Sequence, residues 1–250
     1  MIQLKSPREI EIMAHGGKIL GATVEMLRRE ARVGMSTWQL DELAESFIRS
    51  HPGATPSFKG LYGFPGSVCA SINEEIVHGI PSRRRVLKDG DIISIDVGVK
   101  FEGFHTDSAT TVGVGEVSQE SQRLLDVTQR ALVAGVAAAL PNNHIGDIGA
   151  AIQGVVDASG FTIVRDLVGH GIGVAFHEEP QVPNYGKPRR GTKLMPGLTI
   201  AIEPMVNAGG PATRTMPDRW TVVTVDGSRS AHFEHTVAIT ETGARILTQA

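Results

Sequence analysis

The sequence predicts an α/β protein whose two halves repeat one plan, helices first and antiparallel strands after them. Three observations predict it. Apolar residues at helical spacing occur twice, over residues 6–51 and 119–160, and β-branched runs follow each time. The run Leu87-Lys88-Asp89-Gly90-Asp91-Ile92-Ile93-Ser94-Ile95-Asp96 lies in register with Leu194-Met195-Pro196-Gly197-Leu198-Thr199-Ile200-Ala201-Ile202-Glu203, sharing leucine, glycine, two isoleucines and a final acid. In the same order, His78 and His177 each open a His-x-x-Pro, and Asp107 and Glu234 each head a Thr/Val strand. A single domain over residues 1–250 is expected, with half-repeats of about 6–115 and 117–250.

The elements follow in order. Ser6-Pro7-Arg8-Glu9 starts a helix: serine caps free N–H groups, proline suits the first turn, and glutamate three residues on reaches back. Ile10, Met13, Ile19, Leu20, Val24 and Leu27 form its core stripe. A second helix begins at Ser36 or Thr37, runs through Leu40, Leu43, Ala44, Phe47 and Ile48, and stops at His51-Pro52-Gly53. Residues 54–90 are punctuated by Pro, Gly and Ser, with a strand-like run from Ser67 to Ile72. A β-hairpin comes next, Asp91–Val99 and Asp107–Val112, linked through Glu102-Gly103. Gln119–Leu140 reads as a long helix closed by Pro141, and Ile145, Ile148, Ile152, Val155 and Val156 mark another that ends at Gly160. Strands are expected at Phe161–Val168, Leu198–Ile202, Trp220–Val225 and Phe233–Ile239.

Composition narrows the function classes. A net charge of −3 gives no basic field that would draw the chain to nucleic acid, so no specific nucleic-acid partner is expected. Arg83-Arg84-Arg85 and Lys187-Pro188-Arg189-Arg190 read as solvated loops, with a ribosomal contact as the other reading. One cysteine, Cys69, excludes an internal disulfide framework and suits a reducing compartment. No apolar run reaches the roughly 18 residues of a membrane span, and the start has no apolar signal core. A cytoplasmic protein is expected.

The chemistry lies in the acids. Asp96 stands inside Ile92-Ile93-Ser94-Ile95-Asp96-Val97, where an unpaired carboxylate is costly to bury. For Asp96 and Asp107 alike, the bland alternative is a solvent-facing strand position or an Asp bonded to a turn. If the halves face each other, Asp96, Asp107, Glu203 and Glu234 meet at one centre, and four carboxylates persist there only with cations among them. Several carboxylates with one imidazole suit two bridged divalent ions, Mn, Fe, Co or Zn, better than a single zinc. His170, flanked by Gly169 and Gly171, supplies the imidazole; a lone strand histidine is more often a core residue, but glycines and acids around it reverse that preference. Gly-x-Ser-x-Gly, His-Glu-x-x-His, Walker and Gly-x-Gly-x-x-Gly patterns are missing.

Ser71-Ile72-Asn73-Glu74-Glu75-Ile76-Val77-His78-Gly79-Ile80-Pro81, the Asp96/Asp107 hairpin, Gly169-His170-Gly171-Ile172-Gly173 with Phe176-His177-Glu178-Glu179-Pro180, Ile202-Glu203-Pro204-Met205 and Phe233-Glu234-His235-Thr236 together resemble the type I methionine aminopeptidases. The resemblance covers nearly the whole chain. It implies the pita-bread fold, a duplicated α/β architecture with a curved antiparallel sheet covered by helices. It also implies removal of the initiator methionine from nascent polypeptides with a small second residue, by a hydroxide bridging two metal ions.

Carried over by position, the resemblance makes Asp96 a ligand of one ion, His170 and Glu203 ligands of the other, and Asp107 and Glu234 bridges. Glu203 relays a proton, while His78 and His177 contact the substrate peptide. Phe64, Cys69, Phe176 and Trp220 form the methionine pocket, with ordinary core packing as the alternative for each. Leu61 departs from the aromatic residue found in many relatives. A monomer is expected. A proline-directed aminopeptidase or dipeptidase of the same fold would share the five ligands, and a non-catalytic binding protein of this fold would have lost some.

Overall fold

The computed structural model describes residues 2–249. Four helices are present: α1 (Pro7–Glu30), α2 (Thr37–Arg49), α3 (Gln119–Ala138) and α4 (Ile145–Asp157). The first two start where the capping chemistry predicts. The Ser6 hydroxyl accepts from the Glu9 N–H while the Glu9 carboxylate accepts from the Ser6 N–H at 2.7 Å, and Ser36 and Gln39 repeat the arrangement. Two reciprocal bonds satisfy N–H groups that the helix itself cannot.

Apart from the two ten-residue strands of the hairpin, the described strands are short, and all pair antiparallel. In the first half they are β1 (Ala54–Pro56), β2 (Val68–Ile72), β3 (Glu75–Val77), β4 (Ile92–Phe101) and β5 (Phe104–Gly113). The second half has β6 (Thr162–Ile163), β7 (Gly169–Gly171), β8 (Glu178–Val182), β9 (Thr199–Ile202), β10 (Met205–Asn207), β11 (Thr213–Thr215), β12 (Val222–Thr224), β13 (Ser230–His232), β14 (His235–Ile239) and β15 (Ala244–Ile246). β4 is the axis of the first half, with β1 and β2 on one edge and β5 on the other. In the second half the order is β15-β14-β9-β7-β8, β13-β10-β6 forms a smaller sheet, and β11-β12-β3 is a third that takes β3 from the first half.

Some expected elements are shorter. Only Thr162–Ile163 of the run 161–168 pairs as a strand, and Trp220 and Phe233 precede their strands instead of starting them. Trp220 is instead held in a turn, where the Asp218 carboxylate accepts from the Trp220 and Thr221 N–H groups. The long helix ends at Ala138 and α4 at Asp157, each a few residues before the helix breaker.

Each half has its own core. α1 and α2 pack Leu20, Leu27, Leu40 and Ile48 on Ile93, Ile95 and Val97 of β4, while α3 and α4 pack Leu124, Leu132, Ile148 and Ile152 on Ile200, Ile202 and Val237. The aligned runs make one turn. Gly90 (φ +85°) and Gly197 (φ +93°) sit third in a four-residue turn, closed from Asp91 N–H to Lys88 C=O at 3.2 Å and from Leu198 N–H to Met195 C=O at 3.1 Å. The left-handed third position requires glycine in a type II turn.

β5 and the segment 232–236 join the halves through side chains as well as backbone. The Glu234 N–H donates to the Ala109 carbonyl (2.9 Å), Ser108 Oγ to the Glu234 carbonyl (2.8 Å), and Thr111 Oγ1 to the His232 carbonyl (2.8 Å). Thr236 Oγ1 both accepts from the Asp107 N–H and donates to the Asp107 carbonyl, at 2.8 Å each. This seam places the acids of one half against those of the other.

Candidate metal centre and substrate cavity

Strand register sets the first pair of acids. Asp96 lies opposite Cys69 and Ala109, and Asp107 lies opposite Gly98, two residues beyond Asp96 on the same face. A side chain at Gly98 would collide with Ser57, Phe58 and Phe176, so this position keeps the space over the acids open. In the other half Ile202 pairs with His235, and Glu203 and Glu234 are the next residues beyond that pair. Both pairs reach one centre.

There the side chains are crowded. One ligand atom from each of Asp107, His170 and Glu234 lies within 4.8 Å of the others. His170 Nε2 is 3.8 Å from Glu203 Oε1 and 4.0 Å from Asp107 Oδ2. His170 Nδ1 bonds the Gly171 carbonyl at 2.8 Å, which directs the bare Nε2 toward the acids, as a metal-ligating histidine is oriented. Close approach of neighbouring backbone requires glycine at both Gly169 and Gly171. A Cβ on either would strike a neighbouring carbonyl, of Ala201 or Glu179, so tight strand packing selects them.

The electrostatics are those of a cation site. Burial, followed by the charge of Glu203, pushes Asp96 up to about 7. Asp107 is raised well above the carboxylate range by burial and then by Asp96 and Glu203, and Glu234 likewise by burial and then by Asp107, Glu203 and Asp96. Asp96 Oδ1 and Glu234 Oε1 are buried without a hydrogen-bond partner. Such groups are costly unless a cation meets them, and the oxygen-rich donor set with one imidazole fits divalent ions.

One residue of this cluster was not legible in the sequence. His232 is 1% exposed, its Nε2 lies 3.5 Å from Glu203 Oε2 and 4.0 Å from Glu234 Oε2, and neither ring nitrogen has a hydrogen-bond partner. Its place two residues before Glu234, pointing to the same side of an extended segment, was the available signal.

A cavity of about 590 Å³ opens over the acids. All eleven residues expected at the site line it: Asp96, Asp107, His170, Glu203 and Glu234 at the polar end, His78 and His177, and the apolar Phe64, Cys69, Phe176 and Trp220. Phe64 packs edge-on to Trp220 with ring centres 5.1 Å apart, and Phe58, another lining residue, meets Phe176 at 5.4 Å. Burial pushes the Cys69 thiol up, so it packs as a neutral group. The volume and the apolar lining match a site for one small side chain beside a few polar groups.

The two other histidines flank this cavity as neutral rings. His78 is held at φ +61°, a costly conformation for a non-glycine residue, and burial lowers its pKa. His177 stands at the rim with one side toward solvent; surrounding protein, and then His170 at 4.4 Å between ring centres, lower it to about 4. Tyr62, 73% exposed and also unforeseen, stacks on it with its hydroxyl 3.4 Å from His177 Nδ1. The arginine cluster lies in a loop with Arg83 and Arg84 exposed, as expected, and two of its side chains are paired. Arg85 pairs with Glu75, and Arg83 pairs with Glu42 and lies over Trp38.

A duplicated α/β fold with a buried carboxylate and imidazole cluster under a side-chain-sized cavity defines a metallopeptidase. Residues 11–241 match the model of metallopeptidase family M24, and the chain belongs to that family. The chain is 53% identical to methionine aminopeptidase 1 of Bacillus subtilis, covering all of both chains. It is 44% identical to methionine aminopeptidase of Escherichia coli K12, over 99% of this chain and 94% of that one. Among solved structures, methionine aminopeptidase from Thermotoga maritima aligns over both complete chains with a TM-score of 0.98 at 43% identity. The prolidase from Pyrococcus horikoshii shares the fold, with a TM-score of 0.78 at 22% identity over 99% of this chain and 63% of that chain.

Proposed function

We propose that the protein is a metal-dependent aminopeptidase that removes the N-terminal methionine of new polypeptides whose second residue is small. The observation that carries this reading is the meeting of Asp96, Asp107, His170, Glu203 and Glu234 at the end of a cavity otherwise walled by Phe64, Phe176 and Trp220. These five residues would hold two divalent ions of the Mn, Co, Fe or Zn kind. Bound ions supply Lewis acidity and lower the pKa of water.

The protein's own groups do the rest. Glu203, the acid next to both His170 and His232, accepts the proton of the attacking water and passes it to the departing amine. His177 is neutral at the rim and, with Tyr62 against Nδ1, presents a ring nitrogen toward the scissile carbonyl, where an N–H steadies developing negative charge. His78, fixed by its backbone and set edge-on to Trp220, bonds the peptide on the leaving side. The unbranched thioether fills the pocket of Phe64, Cys69, Phe176 and Trp220 and excludes water from the reacting end.

Nascent chains are the natural source of such N-termini, which supports reading the protein as a cytoplasmic enzyme that works beside the ribosome. No helix among the described residues is long and apolar enough to cross a membrane. The test is release of free methionine from Met-Ala-Ser after chelation and readdition of each metal, with Ala-Pro-Ala as competitor. Release restored by metal with Ala-Pro-Ala intact is expected. Cleavage of the proline peptide instead would transfer the chain to the proline-directed branch.

A further inference from the structure

Lys5 lies far in sequence from every residue of the site, yet it is buried, 6% exposed, in the extended segment before α1. Its N–H donates to the Gly197 carbonyl at 2.7 Å, which fixes this segment against the second half. Its ammonium donates to the Gln3 carbonyl at 3.0 Å and pairs with the carboxylate of Glu178. The other oxygen of Glu178 accepts from the Ala175 N–H at 3.0 Å.

That carboxylate therefore closes the loop that carries Phe176 and His177. The loop is held at its start as well: the Gly173 carbonyl accepts from the His105 N–H at 2.7 Å, and a Cβ on Gly173 would collide with Lys5 Cε and approach Glu178. Lysine stem, glycine and carboxylate fit only as a set. A buried charge is tolerated where its partner is fixed, and the pair then specifies one loop geometry.

We infer that the Lys5–Glu178 ion pair is a positioning device for His177, by which the segment preceding the first helix sets the place of a substrate-contacting group in the opposite half. The inference rests on the role of His177 proposed above. At the rim the His177 ring packs against the rings of Tyr62, His170 and Phe176, and the loop that carries it sets its height over the cavity. A small misplacement of such a group costs up to about 100-fold in rate.

The test is a double-mutant cycle on the metal-reloaded enzyme with Met-Ala-Ser, using Lys5→Met, His177→Ala and the combination. Lys5→Met is expected to lower kcat roughly 10- to 100-fold with KM within about 3-fold and bound metal unchanged, and to add nothing in the His177→Ala background. An equal loss in both backgrounds, or loss of metal, overturns the inference. Unchanged kcat in His177→Ala alone overturns the role of His177, and this inference with it. If Lys5→Met does not fold, Glu178→Gln, which removes the charge and turns one of the two acceptor oxygens into a donor, is carried through the same cycle and judged by the same outcomes.

Discussion

Asp96 and Glu234 each leave one carboxylate oxygen buried without a partner, and this is the residue-scale fact from which the chemistry follows. Asp96→Ala or Glu234→Ala should lose bound metal and reduce kcat/KM by more than the roughly 100-fold that loss of an outer partner costs, with the fold intact by circular dichroism. Full turnover in either variant would end the metal reading. His177→Ala should keep its metal and lose about 100-fold in kcat. His232 makes a subtler case, since both its nitrogens lack partners beside Glu203. His232→Asn should weaken metal binding about 10-fold by calorimetric titration, and an unchanged affinity would make it a bystander.

Elements are held by local chemistry that can be removed one piece at a time. Ser36→Ala deletes one side of the reciprocal cap on α2 and should cost about 1 kcal/mol, read as a lower denaturant midpoint with unchanged slope. Gly197→Ala should cost more than about 1 kcal/mol, because φ is +93° there and an added Cβ would press on the Lys5 carbonyl. Stability equal to the parent in that variant would mean that the turn can take another form.

At the scale of the whole molecule, the acids set a conflict between folding and function. Asp96 titrates near 7 when folded and near 3.8 in an unfolded chain, so between those values the folded state holds the extra proton and loses stability as pH rises. Asp107 and Glu234 are raised too and act in the same direction. His105, His177 and His235, held near 4 by burial, are largely neutral in both states above about pH 7 and contribute little there. Because Asp107 and Glu234 are raised well above the carboxylate range, chelated protein should become more stable on acidification from about pH 8 to 7, read as a higher melting temperature. Metal-loaded protein should show the opposite trend, because protons compete with the ions for the carboxylates. Matching melting profiles with and without chelator would contradict the crowding of these acids.

The sequence by itself determined the helices, the hairpin and the five side chains that cluster, Asp96, Asp107, His170, Glu203 and Glu234. Caps such as Ser6–Glu9, glycine-bearing turns such as Gly90 and Gly197, and acids such as Asp96 within apolar strands are local signals, because hydrogen bonding within a turn and burial of a strand face act over a few residues. Tertiary structure decided the rest. His232 reads as one residue in an ordinary strand until Glu203 stands beside it, Tyr62 as a loop residue until it stacks on His177, and Lys5 as a surface lysine until the fold brings Glu178 across 173 positions of chain. Pairing of charges and rings depends on distance in space, and the chain path that sets that distance is closed only when the two halves meet along β5.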